Sequence, residues 1–323
     1  ITNLIPGPNS TEMAIHLGLL RAGWPGFIAG GLGFILPAVS IVLGLAWAYQ
    51  QYGSTPQAGW LLYGIKPVVI AVILQALWQL GRKALNSAKL VLLAGLVILA
   101  YALGVNEILL LFGSGLLILL LEQARNLKPG LPALAALPWL GLPAAAVSAF
   151  SYSTLFLSFL KIGSVLYGSG YVLLAFLQSE FVTRLGWLTQ QQLLDAVAVG
   201  QFTPGPFFTT ATFIGYQLGG VSGALLATLG IFLPSFVFVA LSHKLLLRYR
   251  NAPAARSLLN GVNAAALGLM AAVAWQLGRA SLVDPLTVLI AALSLFLLLR
   301  YRVNSTWLIL GGGLIGFLSA VLH

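Results

Sequence analysis

Five consecutive residues occur twice in this chain: Trp78-Gln79-Leu80-Gly81-Arg82 returns as Trp275-Gln276-Leu277-Gly278-Arg279. Pro6-Gly7-Pro8 returns as Pro204-Gly205-Pro206, and Gly33-Phe34-Ile35-Leu36-Pro37 as Gly230-Ile231-Phe232-Leu233-Pro234, while Gly64 matches Gly261. The offset is 198 at the Pro-Gly-Pro and 197 from Gly23/Gly220 onward, so one single-residue gap aligns most of the two halves. The chain must therefore build the same supersecondary unit twice. In a very apolar sequence, such duplication points to the secondary transporters, whose substrate site lies between the repeats.

Hydrophobic residues make up 59% of the chain and charged ones 7%, against about 25% charged in a soluble domain. So little polar material cannot cover a soluble core of this size, and the composition reads as an integral membrane protein. The apolar runs are continuous, rich in Leu, Ala and Gly, and near the ~20 residues a helix needs to cross hydrocarbon. Strand-type alternation is absent, which excludes a β-barrel. The net charge of +10 is scattered through short loops, as an orientation signal is, so nucleic acid is not an expected partner. With no cysteine and three scattered His (His16, His243, His323), thiolate and histidine metal sites are ruled out, and no cofactor is expected.

The fold class expected is an all-α polytopic membrane protein of two homologous inverted-topology repeats, with broken or re-entrant helices at the Pro-Gly-Pro motifs. Residues 1–122 form the first repeat, 123–150 a cytoplasmic or interfacial linker, and 151–323 the second repeat. The chain begins at Ile1, and Leu155–Ala198 has no counterpart in the first half, so an N-terminal stretch of comparable length is expected to be missing. Half one reads as a helix at Asn9–Leu20 and spans near Pro25–Tyr49, Leu61–Leu80, Leu90–Leu103 and Ile108–Leu121. Half two reads as Ser153–Phe181, interrupted by Gly163, Gly168 and Gly170, then Thr189–Val199 and Phe207–Leu218. Further spans lie near Gly223–Leu246, Leu258–Leu277, Pro285–Leu299 and Thr306–Leu322. The apolar patch Leu134–Ala149, cut by Pro138 and Pro143, reads as interfacial or loop.

Loop charges set the relative orientation of the halves. Gln51–Gly59 carries no charge, but its twin loop carries Lys244, Arg248, Arg250 and Arg256. Arg82, Lys83 and Lys89 face a twin with Arg279 and Asp284, and Glu107 faces Arg300 and Arg302. The bias alternates in opposite phase, so by the positive-inside rule each loop lies across the membrane from its twin. Arg21, Arg125 and Lys128 fall on the expected cytoplasmic side, and the C-terminus on the other.

Pro-Gly-Pro inside a membrane segment breaks the helix, because proline lacks the N–H and clashes with the preceding turn. Such a break is tolerated at depth only where it is buried in protein or lines a polar cavity. Pro8 and Pro206 suit the first turn of a new helix, followed by Asn9, Ser10 and Thr11 in one half and Thr209, Thr210 and Thr212 in the other. Inverted repeats would aim both helix N-termini at one midplane point, an anion site that needs no buried Lys or Arg. The bland alternative is a kink or loop boundary, and two copies with polar flanks weigh against it.

Gly168-Ser169-Gly170, within Gly163–Gly170, is a second candidate, as a nest of backbone N–H groups or equally as a close-packing face. Lys161 adds charge there or extends to the interface. Glu12, Glu180 and Asp195 are candidates to carry a coupling proton. Glu180 has an ordinary reading too, since Arg184 follows it at helical ion-pair spacing. His16 reads as packed among helices, Glu107, Glu122 and Asp284 as solvated span ends, and Trp78 and Trp275 as interfacial anchors without chemistry.

Leu4-Ile5-Pro6-Gly7-Pro8-Asn9-Ser10-Thr11 and Gln201-Phe202-Thr203-Pro204-Gly205-Pro206 resemble the paired motifs of the chromate ion transporter family. Tyr167-Gly168-Ser169-Gly170 and the repeated Gly-x-x-Leu-Pro are similar too, and the resemblance runs over essentially the whole chain in its long two-domain form. The family's opening segment with its first Gly-Gly-Pro-type motif is absent, and the matching position of half two reads Gly-Ser-Gly. The resemblance implies a multi-pass bacterial or archaeal inner-membrane protein that exports chromate, a tetrahedral dianion similar to sulfate, using the proton motive force. Pro6–Thr11, Gln201, Pro204–Pro206, Thr209 and Thr210 would then form the oxyanion site, closed by Gly168–Gly170. The expected partners are chromate or sulfate, protons and the bilayer, with a homodimer as a permitted assembly. A sulfate-type carrier and an anion channel stay open as alternatives. A chromate-reducing enzyme is disfavoured, because no cysteine, cluster or nucleotide fingerprint could carry electrons.

Overall fold

A computed structural model of the chain describes residues 9–126, 149–166, 170–249 and 253–321. Every element in these residues is helical, with no strand among them. In chain order the α-helices are α1 (Asn9–Tyr52), α2 (Pro56–Ala84), α3 (Ala88–Ala102), α4 (Glu107–Asn126), α5 (Tyr152–Val165), α6 (Leu173–Leu177), α7 (Gln190–Phe202), α8 (Thr210–Tyr249), α9 (Pro253–Ser281), α10 (Pro285–Tyr301) and α11 (Ser305–Val321). A 3₁₀ turn at Gly170–Val172 precedes α6, a π-helical stretch at Gln178–Arg184 follows it, and a second 3₁₀ turn at Phe207–Thr209 opens α8.

Four helical segments, Ser10–Tyr52, Pro56–Ala84, Phe207–Leu241 and Ala254–Ser281, are long and apolar enough to cross a membrane. Large apolar side chains point outward along them and along the shorter helices. Leu92, Trp275 and Trp307 are each about 70% exposed, a surface that only lipid would satisfy.

The duplication is visible in the coordinates. Helices α2 and α9 have the same bounds displaced by 197 at both ends, and the starts of α3 and α10 differ by the same amount. Both long helices fold back on themselves at equivalent points. In α1, Ala22 (φ −139°, ψ 22°) and Gly23 (φ 61°, ψ −145°) reverse the chain. In α8, Gly219 (φ −144°, ψ 23°) and Gly220 (φ 60°, ψ −151°) do so with nearly the same angles. The second residue of each pair sits at positive φ, which glycine adopts without a Cβ penalty. Small residues let the two arms touch: a Cβ on Gly18 would lie 2.1 Å from the Gly26 carbonyl oxygen, and one on Gly215 would lie 2.4 Å from that of Gly223.

Caps and prolines set the other boundaries. Pro56 and Pro285 sit in the first turns of α2 and α10, where no N–H is lost. Thr55 caps α2, and Asp284 and Thr287 form a capping box at α10. Tyr63 Oη donates to Asp284 Oδ2 at 2.6 Å and the Thr287 N–H to Oδ1 at 2.8 Å. These two bonds, the tyrosine's first, hold the Asp284 carboxyl below the usual carboxylate range.

The twin helices α2 and α9 each pack on helices of the other half. Helix α2 lies against α10 and α11, whereas α9 lies against α3 and α4. The contacts come in twins. A Cβ on Gly64 would lie 1.9 Å from the Gly312 carbonyl oxygen; one on Gly261, 197 residues on, would lie 2.4 Å from that of Ser114 and 2.7 Å from Gly115 Cα. Helix α2 runs parallel to α10, from Tyr63–Asp284 to Gln75–Leu298, and antiparallel to α11, where Trp60 and Gly64 meet Gly316 and Gly312. The continuous core joins α1, α2 and α9 to α5–α8 around Phe159, Phe176, Phe181, Phe208 and Phe213.

The sequence-derived spans coincide with these helices, apart from Ser153–Phe181, which divides into α5, α6 and the π-helical stretch. The apolar patch Leu134–Ala149 falls outside the described residues except for its last position. Glu122 accepts a hydrogen bond from Ser257 near the start of α9. Phe150 packs on Trp187, close in sequence to Gln191, which bonds the Ala280 carbonyl at the other end. One expectation is corrected: Glu107 is not a solvated span end. It is 3% exposed and accepts a 2.7 Å hydrogen bond from Ser179.

The glycine crossings give a direct stability test. Gly64→Ala and Gly261→Ala should each destabilise by about 1–3 kcal/mol, the range for forcing extra atoms into a packed site. Gly81→Ala, at a helical glycine with nothing within 4 Å of its Cβ position, should be neutral or stabilising by up to ~1 kcal/mol. Thermal unfolding of the three variants in detergent checks this ordering.

Candidate anion-binding site

The second Pro-Gly-Pro interrupts the chain inside the helical body, as its composition dictates. Helix α7 ends at Phe202, capped by Thr203, and the chain turns through Pro204, Gly205 (φ +136°) and Pro206 before the 3₁₀ turn starts at Phe207. A Cβ on Gly205 would lie 2.5 Å from Ala38 Cβ, so the turn is pressed against the second arm of α1. Pro204 and Gly205 are exposed, and Pro206, Phe208, Thr209 and Thr210 are buried. A helix N-terminus therefore opens within the fold, with donors in its first turn that have no intrahelical acceptor.

The hydroxyl protons of this turn are already engaged. Thr209 Oγ1 donates to the Pro206 carbonyl at 2.9 Å, and Thr210 Oγ1 to that of Phe207 at 2.8 Å. Thr212 Oγ1 pairs with Thr228 Oγ1 at 2.8 Å. These threonines hold the turn in shape, and the Thr209 N–H also donates to the Pro206 carbonyl at 3.0 Å, which leaves the Phe207 and Phe208 N–H groups as the donors an anion could use.

The glycine loop and this turn meet. Gly170 has its Cβ position 3.7 Å from both Phe207 and Phe208, and the Tyr171 ring stacks on Phe207 at 5.5 Å. Gln201 turns its side chain to Tyr171, while its Nε2 is buried without a well-formed hydrogen bond. Gly168 and Ser169 lie outside the described residues, as do Pro6, Gly7 and Pro8 and the side chain of Asn9. Of the first motif's followers, Ser10 is exposed and Thr11 and Glu12 are fully buried. The Thr11 hydroxyl and both Glu12 carboxyl oxygens have no hydrogen-bond partner among the described residues.

The three candidate acids have three different surroundings. Glu180, 2% exposed, accepts from Ser158 Oγ (2.6 Å), Lys161 Nζ (2.5 Å), Arg184 Nε (3.0 Å) and a second Arg184 nitrogen. The expected i,i+4 pair with Arg184 is thus present, and Lys161 turns to Glu180 rather than extending to an interface. Asp195, 4% exposed on α7, accepts 2.8 Å from Tyr49 Oη of α1 and lies 3.0 Å from Lys66 Nζ of α2. Lys66 and Asp195 Oδ1 stand at ion-pair distance without hydrogen-bond alignment, since the directed bond of Lys66 goes to Gln191 Oε1 at 2.7 Å. Glu12 has no counter-charge among the described residues. Sequence reasoning missed Lys66, Tyr49 and Gln191. A lysine ten residues into an apolar helix was the signal available for the first.

This arrangement can present a helix N-terminus to an oxyanion, and the helix leading into that turn, α7, is tied to α2 by the Lys66–Asp195 ion pair and to α1 by the Tyr49 hydrogen bond. Among the described residues, no group of three or more His, Cys, Asp or Glu could hold a metal.

No solved structure matches the chain. Similarity to proteins of known family is extensive. The chain is 33% identical to a chromate transport protein of Cupriavidus metallidurans, over 100% of this chain and 82% of that protein. It is 33% identical to a probable chromate transport protein of Synechococcus elongatus, over 91% of this chain and 77% of that one. With a chromate transport protein of Pseudomonas aeruginosa it shares 31% identity, over 98% and 81% respectively. These are transporters rather than enzymes, and the apolar helices agree with a multi-pass membrane protein. The family description "Chromate transporter" matches residues 1–119 and again residues 153–317. Taken with the paired motifs and the duplicated helices, this places the chain in the chromate transporter family.

Proposed function

We propose that the chain carries chromate out of the cytoplasm across the inner membrane, by alternating access between two inverted repeats and driven by the proton motive force. The observation that carries this reading is the Thr203–Pro206 turn. It opens a helix N-terminus beside Gly170 and the second arm of α1, with no Lys or Arg in the turn itself. A tetrahedral dianion suits such a site, because peptide N–H groups and the helix dipole attract it without a fixed cation that would retain it. Pro6–Thr11 would supply the second half of the site, with Gly168–Gly170 closing it.

The contacts between the twin helices support inverted topology. Ile70 of α2 lies 3.9 Å from the Cβ position of Gly278, and Gln191 bonds both Lys66 and the Ala280 carbonyl. The first half of α2 thus lies beside the end of α9, as it would if the twins run in opposite directions. Because α2 and α10 are parallel, Arg82, Lys83, Arg300 and Arg302 gather at one face, which the positive-inside rule makes cytoplasmic.

Among the acids, Glu180 is a fixed charge held by two cations and a hydroxyl, so its role is structural. Asp195 has one cation, on the other repeat. Protonation of Asp195 would free Lys66 to face an anion, which links proton entry to chromate binding. Glu12, buried and without a hydrogen-bond partner among the described residues, would be the second proton carrier.

Two experiments test this. In inside-out vesicles, labelled chromate uptake should depend on the proton gradient and be reduced by excess sulfate. Asp195→Asn should abolish the gradient dependence while leaving chromate exchange. Lys66→Gln should raise the half-saturating chromate concentration about tenfold or more, since a hydrogen bond to a charged group contributes about 1.5–3 kcal/mol. Gradient-driven uptake that survives in Asp195→Asn would remove this residue from the coupling. For topology, the chain has no native cysteine, so single cysteines can be placed at will. Asn86→Cys and Gln123→Cys should be labelled from the cytoplasmic face, and Val283→Cys and Ser151→Cys from the opposite face. Labelling of Asn86→Cys and Val283→Cys from one face would rule out inverted repeats.

A further inference from the structure

The two Trp-Gln-Leu-Gly-Arg copies end equivalent helices, α2 and α9, but what stands around them differs. At the end of α2, a cleft of about 730 Å³ is lined by Trp78, Gln79, Arg82, Lys83 and Arg302, with Leu298 and Leu299 behind. At the end of α9, the matching positions hold Trp275, Gln276, Arg279 and Ala280, with Val105 in the place of Arg302. One end therefore gathers three cations where its twin has one. Helix C-termini attract cations, but that applies to both ends and does not explain the difference.

Arg82, Lys83 and Arg302 are exposed, and none is in a salt bridge with a carboxylate among the described residues. Arg82 lies over the Trp78 ring, 6.0 Å from its centroid. Trp78 is 59% exposed and Leu299 44%, so an apolar wall continues outward from the charged rim. The volume lies within the range of small-molecule sites. Three converging cations above an outward-facing apolar wall suit an amphiphile with an anionic head, since arginine pairs with phosphate oxygens in bidentate fashion.

We propose that this cleft binds the phosphate headgroup of an anionic phospholipid, with acyl chains laid along Trp78 and Leu299. The site is separate from the chromate path and does not depend on the proposed transport reading. It gives the two faces of a duplicated protein different lipid contacts.

The test uses the full chain in neutral detergent and reads thermal unfolding during titration with phosphatidylglycerol in mixed micelles. Phosphatidylcholine and inorganic phosphate are the comparison arms. Phosphatidylglycerol should raise the unfolding temperature saturably, and the other two should not. Combined Arg82→Gln, Lys83→Gln and Arg302→Gln should weaken the apparent affinity about a hundredfold, at about 1 kcal/mol per basic residue near an anionic lipid surface. Arg279→Gln at the twin end should leave the affinity unchanged. All four positions are exposed, so folding should survive, and a monodisperse elution profile confirms it. An undiminished phosphatidylglycerol response in the triple variant would overturn the proposal. So would an equal response to phosphatidylcholine, or to inorganic phosphate alone.

Discussion

A backbone that leaves the helix inside an apolar layer must still satisfy its own N–H and C=O groups, and much of this structure follows from meeting that demand. At Thr203–Pro206 the solution has three parts. Thr203, Thr209 and Thr210 spend their hydroxyl protons on nearby carbonyls. Pro204 and Pro206 remove two donors that would otherwise need acceptors. The Phe207 and Phe208 N–H groups remain, and they are the chemical resource an anion site can draw on. The reversals at Gly23 and Gly220 belong to the same design, because they fold each long helix back on itself with nearly the same angles.

The architecture that holds these breaks is an exchange between halves. Helix α2 sits among helices of the second set and α9 among those of the first, through backbone approaches that only glycine permits at Gly64–Gly312 and Gly261–Gly115. Such crossings rely on close packing, since between lipid-facing helices there is no hydrophobic drive to associate. The Lys66–Asp195 pair adds a polar tie across the same boundary. A buried ion pair contributes little net stability by itself.

Much of the fold was legible in the sequence because duplication and hydropathy are both one-dimensional signals. The offset of 197 located the twin helices, and proline and glycine located the interruptions. Other features depend on tertiary contact and leave no local trace. Asp195 and Lys66 are 129 positions apart, and nothing in either neighbourhood names the other. Glu107 begins a helix after a turn, which reads as a solvated end, yet Ser179 covers it. The threonines after Pro206 read as substrate donors from composition alone. Only the coordinates reveal that their protons are committed within the turn. The π-helical stretch at Gln178–Arg184 has no sequence signature, and it brings Ser179 to Glu107 while Glu180 reaches Ser158 and Lys161.

The central claim is that an oxyanion rests on main-chain donors at the start of the helix after Pro206. Anomalous diffraction from crystals of the full protein soaked in chromate tests it most directly, because chromium marks its own position. The account predicts a chromium peak within hydrogen-bonding reach of the Phe207 and Phe208 amides and close to Gly170. A peak confined to Lys66, or to the basic cleft of Arg82, Lys83 and Arg302, with none at that helix start, would contradict it.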